Sequence, residues 1–294
     1  MMLFGIPLQS LLAQLLVGFV NGAFYALLSL GLAIIFGMLQ VVNFVHGVLF
    51  MLGAFLSWYL LDAFGLSYWV SLVLAPLIVA AFGMLIEFCL LRRSYKLDPM
   101  YGLLLTFGIA LVVEGLFRER FGVTGFPYSA PPALQGGTHL GFMFLPNYRA
   151  WVVVASLFTC IGVWLVIERS RLGAYLRAAT ENPTLVRAFG IRVPRMITLT
   201  YGLGAALAAL AGVMAAPITH VNVLMGSNIV IVIFAVVVVG GMGSIAGAAA
   251  SGFLLGMVEG LTKVFYPQAS SLAIFVAMAV VLLFKPAGLF GKGE

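Results

Sequence analysis

Arg169, Arg171, Arg177, Arg187, Arg192 and Arg195 crowd one polar stretch of an otherwise apolar chain, with only Glu168 and Glu181 to offset them. Guanidinium groups at that density favour anionic lipid headgroups. The stretch also has local order of its own. Asn182 is a good N-cap, Pro183 suits the first helical position, and Gly190 suits the residue after the last turn. The implied helix, Pro183–Phe189, is about 10 Å long, too short to cross a bilayer and long enough to lie along one face. It places Leu185, Val186 and Phe189 near one side and Arg187 near another. A tether between two spans needs no such caps, so the segment reads as a docking surface. An amphipathic helix resting on anionic headgroups is the other reading.

No residue set points to bond-breaking chemistry. His46, His139 and His220 are far apart, and neither a carboxylate–histidine pair nor a Gly-x-Ser-x-Gly elbow occurs. Cys89 and Cys160 have no neighbouring ligand residues, so they read as small apolar side chains rather than as a disulfide or metal site. The lysines lie outside any Gly-Lys-Ser/Thr phosphate loop, and Gly291-Lys292-Gly293 is only a tail. The expectation is a chain that is not an enzyme, holds no cofactor or metal, and has no nucleic-acid partner. If ATP drives it, another chain binds the ATP.

Two interruptions of the apolar pattern raise a question of transport. Gln40-Val-Val-Asn43-Phe-Val-His46-Gly47 separates two apolar runs, and Gly240-Gly-Met-Gly243-Ser244-Ile-Ala-Gly247 separates two more. Broken segments inside transporters supply polar backbone and half-helix ends at membrane depth. Asn43, His46, Gly47, Gly240, Gly241, Gly243 and Ser244 are therefore candidates for a translocation pathway. The alternative is that each segment is a tight turn between adjacent spans, with His46 hydrogen-bonded locally.

The elements that must position these residues follow from composition. Hydrophobic residues make up 63% of the 294 and charged residues 8%, with mean hydropathy +1.17, whereas soluble domains carry about 25% charged residues. The chain belongs in a bilayer. Met1 to Leu61 contains no Asp up to Leu61 and no Glu, Lys or Arg; at roughly 20 residues per span it holds two. The apolar run exceeds a signal peptide's and lacks a basic start, so the first span is expected to be retained. Spans are expected near Leu8–Met38, His46–Leu61, Tyr68–Leu91, Met100–Phe117, Trp151–Ile167, Ile197–Pro217, Asn228–Gly241, Ile245–Phe265 and Ser271–Phe284. The fold class is all-α, a single polytopic transmembrane bundle over 1–294 with about eight or nine spans, Asn228–Gly241 being short enough to be re-entrant.

Basic residues favour the cytoplasmic side. Arg92, Arg93 and Lys96, the arginine loop at about 168–196, and Lys285 and Lys292 are therefore placed inside. The Pro- and Gly-bearing loop at about 119–149 then falls outside, as does the N-terminus. Small residues form stripes at Gly252, Gly256 and Gly260 and at Gly204, Ala208, Gly212 and Ala216, which read as helix-packing seams. Glu259 with Lys263, and Glu114 with Arg118, read as mutually neutralising pairs one helical turn apart.

Four motifs in order carry a family resemblance. They are Gly31-Leu-Ala-Ile-Ile-Phe-Gly37 running into Val42-Asn43-Phe-Val-His46-Gly47, then Arg171-Leu-Gly-Ala-Tyr-Leu-Arg177-Ala-Ala through Gly190-Ile191, then Val239-Gly-Gly-Met-Gly243-Ser244, and the ending Lys285-Pro286-Ala-Gly288-Leu-Phe-Gly291. The chain resembles the membrane-spanning permease subunit of bacterial branched-chain amino acid ABC importers over nearly its whole length. The resemblance implies that Thr180–Ile191 is a coupling segment, with Glu181, Asn182, Pro183, Leu185, Arg187, Phe189 and Gly190 meeting a cytoplasmic ATPase. Its Glu181-Asn-Pro and the long gap to Gly190 depart from the Glu-Ala-Ala…Gly pattern of many ABC importers. The resemblance also implies two ATP-binding subunits, a second permease subunit (related or identical), an extracytoplasmic solute-binding protein and residence in the bacterial inner membrane. The cargo it implies is a branched-chain or related small amino acid. The rival reading, an autonomous secondary transporter or channel, calls for intramembrane ionisable residues, and this chain has few.

Overall fold

The computed structural model describes residues 2–3, 6–39, 41–95 and 97–291; Gln40, Lys96, Lys292 and Gly293 lie outside the described residues. After a short hairpin of β1 (Met2–Leu3) and β2 (Ile6–Pro7), the chain runs through α1 (Leu8–Leu39), α2 (Val45–Phe64) and α3 (Tyr68–Ile86). A π-helical turn, Glu87–Leu91, and the short α4 (Arg92–Ser94) extend α3. Then follow α5 (Pro99–Phe121), the hairpin of β3 (Gly137–His139) and β4 (Phe144–Pro146), α6 (Asn147–Arg169), α7 (Arg171–Glu181) and α8 (Pro183–Ala188). The last four helices are α9 (Val193–Thr219), α10 (Met225–Gly240), α11 (Ile245–Phe265) and α12 (Ser270–Phe284). Among the described residues eight helices are long and apolar enough to cross a membrane, the last running from Pro267 to Phe284, and α10 is a shorter apolar helix between two of them. The expected all-α polytopic bundle is what forms. Helices dominate because backbone donors in lipid find partners only within the segment.

Close backbone approach at glycines sets how the helices meet in the core. Gly256 of α11 faces α1 so tightly that a Cβ there would lie 2.4 Å from the Cα of Gly22, and one at Gly260 would lie 2.8 Å from the Cα of Gly18. The Gly252–Gly256–Gly260 stripe is thus the α1–α11 seam, and Ser29 of α1 closes it with a hydrogen bond to the Ala248 carbonyl, 3.0 Å. The second stripe lies on α9, where Gly204 meets Gly31 of α1 and Gly212 meets Phe50 and Ala54 of α2. Lipid tails are as apolar as leucine, so it is van der Waals contact at such seams that holds the helices together. Outward faces carry exposed Leu104, Phe158, Leu272 and Leu283, apolar surface suited to acyl chains.

At the end away from the arginine loop, aromatic packing ties the connections down. Trp58 stacks near Phe126 with centroids 4.4 Å apart, and Phe126 pairs with Val221 through a backbone bridge. Tyr148 donates to the Met214 carbonyl, 2.9 Å, and Ser57 to the Tyr128 hydroxyl, 2.9 Å. Trp and Tyr at such a level match the amphipathic belt of a membrane interface.

Candidate functional site

The α1–α2 break is buried within the bundle at Asn43. His46, in the first turn of α2, is buried and donates its Nε2–H to the carbonyl of Leu28, 3.0 Å away. About 16 Å of α1 continues past Leu28 before that helix ends, so the segment 41–44 climbs back alongside α1 and α2 begins inside the bundle. Asn43 holds that buried start: its Oδ1 accepts from the Val45 amide, 3.2 Å, and its Nδ2 donates to the Tyr201 hydroxyl of α9, 3.1 Å. Gly47 makes the third contact, since a Cβ there would lie 2.5 Å from the carbonyl oxygen of Gly226 in α10. Asn43, His46 and Gly47 therefore join α2 to α9, α1 and α10 respectively.

The second interruption closes differently. Gly240 ends α10, Gly241 and Gly243 take positive φ of 98° and 86°, and Ser244 caps α11 by accepting the Gly247 amide at 3.1 Å. Beneath it the C-terminal motif folds back: the amides of Leu289 and Phe290 donate to the carbonyls of Val239 and Gly240, 2.8 and 3.2 Å. Two of the motifs noted in the sequence thus satisfy each other, the tail supplying donors to the open end of α10. Gly243 in turn approaches Gly37 near the end of α1.

The arginine loop forms two helices rather than one. Ser170 caps α7 through the Gly173 amide, 3.4 Å, and Asn182 caps α8 through the Leu185 amide, 3.0 Å. Gly190 takes φ +79°, the left-handed geometry that ends a helix cheaply only at glycine. The expected helix is therefore present, with Phe189 as its C-cap and Glu181 as the last residue of α7. Its faces differ in one respect from the sequence reading. Val186 does not share a side with Leu185 and Phe189; it is buried with Ala179 and Val193 against Met38, Ile191 and Ile197. Leu185 and Phe189 are 54% and 76% exposed, and Arg187 is exposed without an ion pair among the described residues. Val186 thus seats α8 in an apolar cluster shared with Ala179 of α7, Met38 at the end of α1 and the start of α9, leaving an apolar and cationic face open. Arg177 is spent internally, donating to Glu168 and to the Ile167 carbonyl.

Above α8 lies a cavity of about 580 Å³, lined by Met38, Arg92, Tyr95, Thr180, Arg187 and Ile197 among others. A polar cluster that the sequence reading missed stands at its wall. Glu87, fully buried in the π-helical turn, accepts from Arg92 Nη2 at 3.2 Å, Thr198 Oγ1 at 2.6 Å and the Tyr95 hydroxyl at 3.0 Å. Burial and the adjacent Glu87 carboxylate push the Tyr95 phenol well above its ordinary range, keeping it a donor. The only sequence signal was an isolated Glu in an apolar run next to Arg92. The two anticipated pairs also form, Glu114 with Arg118 at 2.8 Å and Glu259 with Lys263, the latter carboxylate also accepting from the Tyr25 hydroxyl at 2.7 Å.

A helix that starts inside the bundle, glycine seams between spans and short helices carried on one side of the membrane define a polytopic transport protein of the broken-helix kind. The chain belongs to the family described as the branched-chain amino acid transport system permease component, which matches residues 14–284. It is 31% identical over 299 residues, covering 96% of both chains, to the high-affinity branched-chain amino acid transport system permease protein BraD of Pseudomonas aeruginosa. Similarity of 26% identity extends to LivH of Escherichia coli K12 over 96% of both chains. It extends also to LivM of the same organism, at 26% identity over 90% of this chain and 67% of that one. The chain is accordingly a multi-pass permease subunit of a transport system and not an enzyme.

Proposed function

We propose that this permease conducts branched-chain amino acids across a bacterial inner membrane as part of an ATP-driven importer. The observation that carries the reading is α8: a short helix capped at both ends, clamped to α1 and α9 by Val186, with Leu185, Arg187 and Phe189 left facing outward. Glu181 to Gly190 is then the segment seated on a cytoplasmic ATPase. Two ATP-binding subunits power the assembly, and a solute-binding protein delivers cargo to the loop at about 119–149. Likeness to both LivH and LivM, two permease proteins of one organism, supports a second, related permease subunit as the partner across the pore. The clustering of basic residues supports an external N-terminus and a cytoplasmic C-terminus.

In this reading ATP closes the ATPases, α8 is carried with them, and the ends of α1 and α9 follow because Val186 holds them. Asn43, His46 and Gly47 then form the joint at which α2 shifts against its neighbours, and the Gly240–Ser244 turn is the second joint. Cargo passes along these breaks. The ionisable groups support a driven conduit over a proton- or ion-coupled carrier, since Glu87, Glu114 and Glu259 each already have a basic partner. The test is uptake of labelled L-leucine into proteoliposomes containing the permease pair, with and without the ATPases and ATP. Uptake that needs both supports the proposal; equal uptake without the ATPases would refute it.

A further inference from the structure

The Glu87 cluster sits where the arginine loop returns to the membrane. Leaving α8, the chain turns at Gly190 and enters α9, whose first turns present Pro194, Thr198 and Tyr201 along one face. Arg92 Nη2 donates to Thr198 Oγ1 at 2.6 Å and reaches the Pro194 carbonyl at 3.3 Å, while the Thr198 hydroxyl donates to Glu87. One turn further, Tyr201 binds Asn43 at the start of the buried α2. The same face of α9 is therefore bonded to the base of α3 and to the α1–α2 break.

We propose that Glu87 is a positioning residue for transport: it locks the first two turns of α9 to the base of α3, so that a displacement of α8 moves both helices and the Asn43 joint together. The inference rests on the importer reading above and names the part that carries the stroke inward. Two features favour transmission over simple packing. With Glu87 buried and Arg92 partly exposed, the ion pair stabilises little compared with apolar side chains of the same volume, and what it supplies is a directional geometry. The carboxylate also lies in a π-helical turn, a departure from the α ladder that is frequent at functional sites. Val186 clamps α8 to α9 by apolar contact, and Glu87 extends that clamp to α3 by hydrogen bonds.

The test uses the whole transporter in proteoliposomes, measuring L-leucine uptake and ATP hydrolysis in parallel. Thr198→Val keeps shape and removes the hydroxyl; Thr198→Ser restores it; Glu87→Gln keeps volume and removes the charge. Thr198→Val and Glu87→Gln are expected to lower leucine imported per ATP at least tenfold, with ATP hydrolysis within twofold of the parent, while Thr198→Ser retains coupling. If uptake and hydrolysis fall in proportion, or if Thr198→Val leaves both unchanged, the cluster is structural only and the inference fails. A parent transporter that imports leucine without its ATPases would sink the importer reading, and the strut with it. Because Thr198→Val is nearly isosteric, it decides the matter even if Glu87→Gln does not assemble.

Discussion

Replacing Gly256 by alanine tests whether backbone contact at the α1–α11 seam holds the bundle. The new Cβ would lie 2.4 Å from both the Cα and N of Gly22 and 2.6 Å from the carbonyl oxygen of Gly18. Comfortable separations for such atoms are about 3.5–4.0 Å, so the two helices must part by roughly 1 Å. No flexible side chain is present to absorb the shift, because every atom in the way is backbone. Overpacking of this sort costs about 1–3 kcal/mol, and the upper half of that range applies here. Alanine is the better helix former by about 1 kcal/mol, which leaves a net loss of about 1–2 kcal/mol, a factor of roughly 5–30 in the folding equilibrium. Gly115 on α5 is the control, since a Cβ there meets nothing within 4 Å. Gly115→Ala is expected to be neutral or up to about 1 kcal/mol more stable. The assay is SDS-driven unfolding of the purified subunit in mixed micelles, followed by tryptophan fluorescence. Equal midpoints for Gly256→Ala and Gly115→Ala would refute the seam as the source of cohesion.

Two further substitutions probe the ends of the proposed stroke. Asn182→Ala removes the cap of α8 and should cost about 1 kcal/mol of local helix stability, read as a roughly fivefold faster amide exchange at Leu185 and Val186; unchanged exchange would show that Val186 alone orders the helix. Tyr201→Phe leaves the buried Asn43 amide without its partner and should destabilise the subunit by about 1–3 kcal/mol in the same SDS assay. No loss would mean that the α2 start is held by Gly47 and His46 instead.

Span positions were legible because long apolar runs admit no other structure in lipid, and the helices extend the expected ranges by a few residues only. The stripe at Gly252, Gly256 and Gly260 could be read as a seam, since four-residue spacing puts small residues on one face. Its partners Gly18 and Gly22 could not be assigned, because spacing within one helix does not reveal which helix lies opposite. The α8 caps were legible from Asn182, Pro183 and Gly190, whereas the inward turn of Val186 depends on where α1 and α9 lie. α7 was missed because it falls inside a polar, basic stretch whose apolar positions are few. Glu87 was missed for a deeper reason: one carboxylate barely alters the hydropathy of a span, and its partner Thr198 lies 111 residues away. The depth of Asn43 was equally hidden, for a break in hydropathy marks the end of a helix without telling how far the chain then returns into the bundle.

If α8 is the element by which an ATPase moves this permease, contact must be made through its outward face. Arg187→Glu combined with Phe189→Ala reverses the exposed charge and removes the exposed ring while leaving Val186, the Asn182 cap and the left-handed Gly190 in place. The most direct measurement is co-purification of the ATP-binding subunits with this double variant from detergent-solubilised membranes, alongside its level of membrane insertion. At least a tenfold loss of bound ATPase at normal insertion is expected; full retention of the ATPase, with normal ATP-driven leucine uptake, would contradict the coupling role of α8.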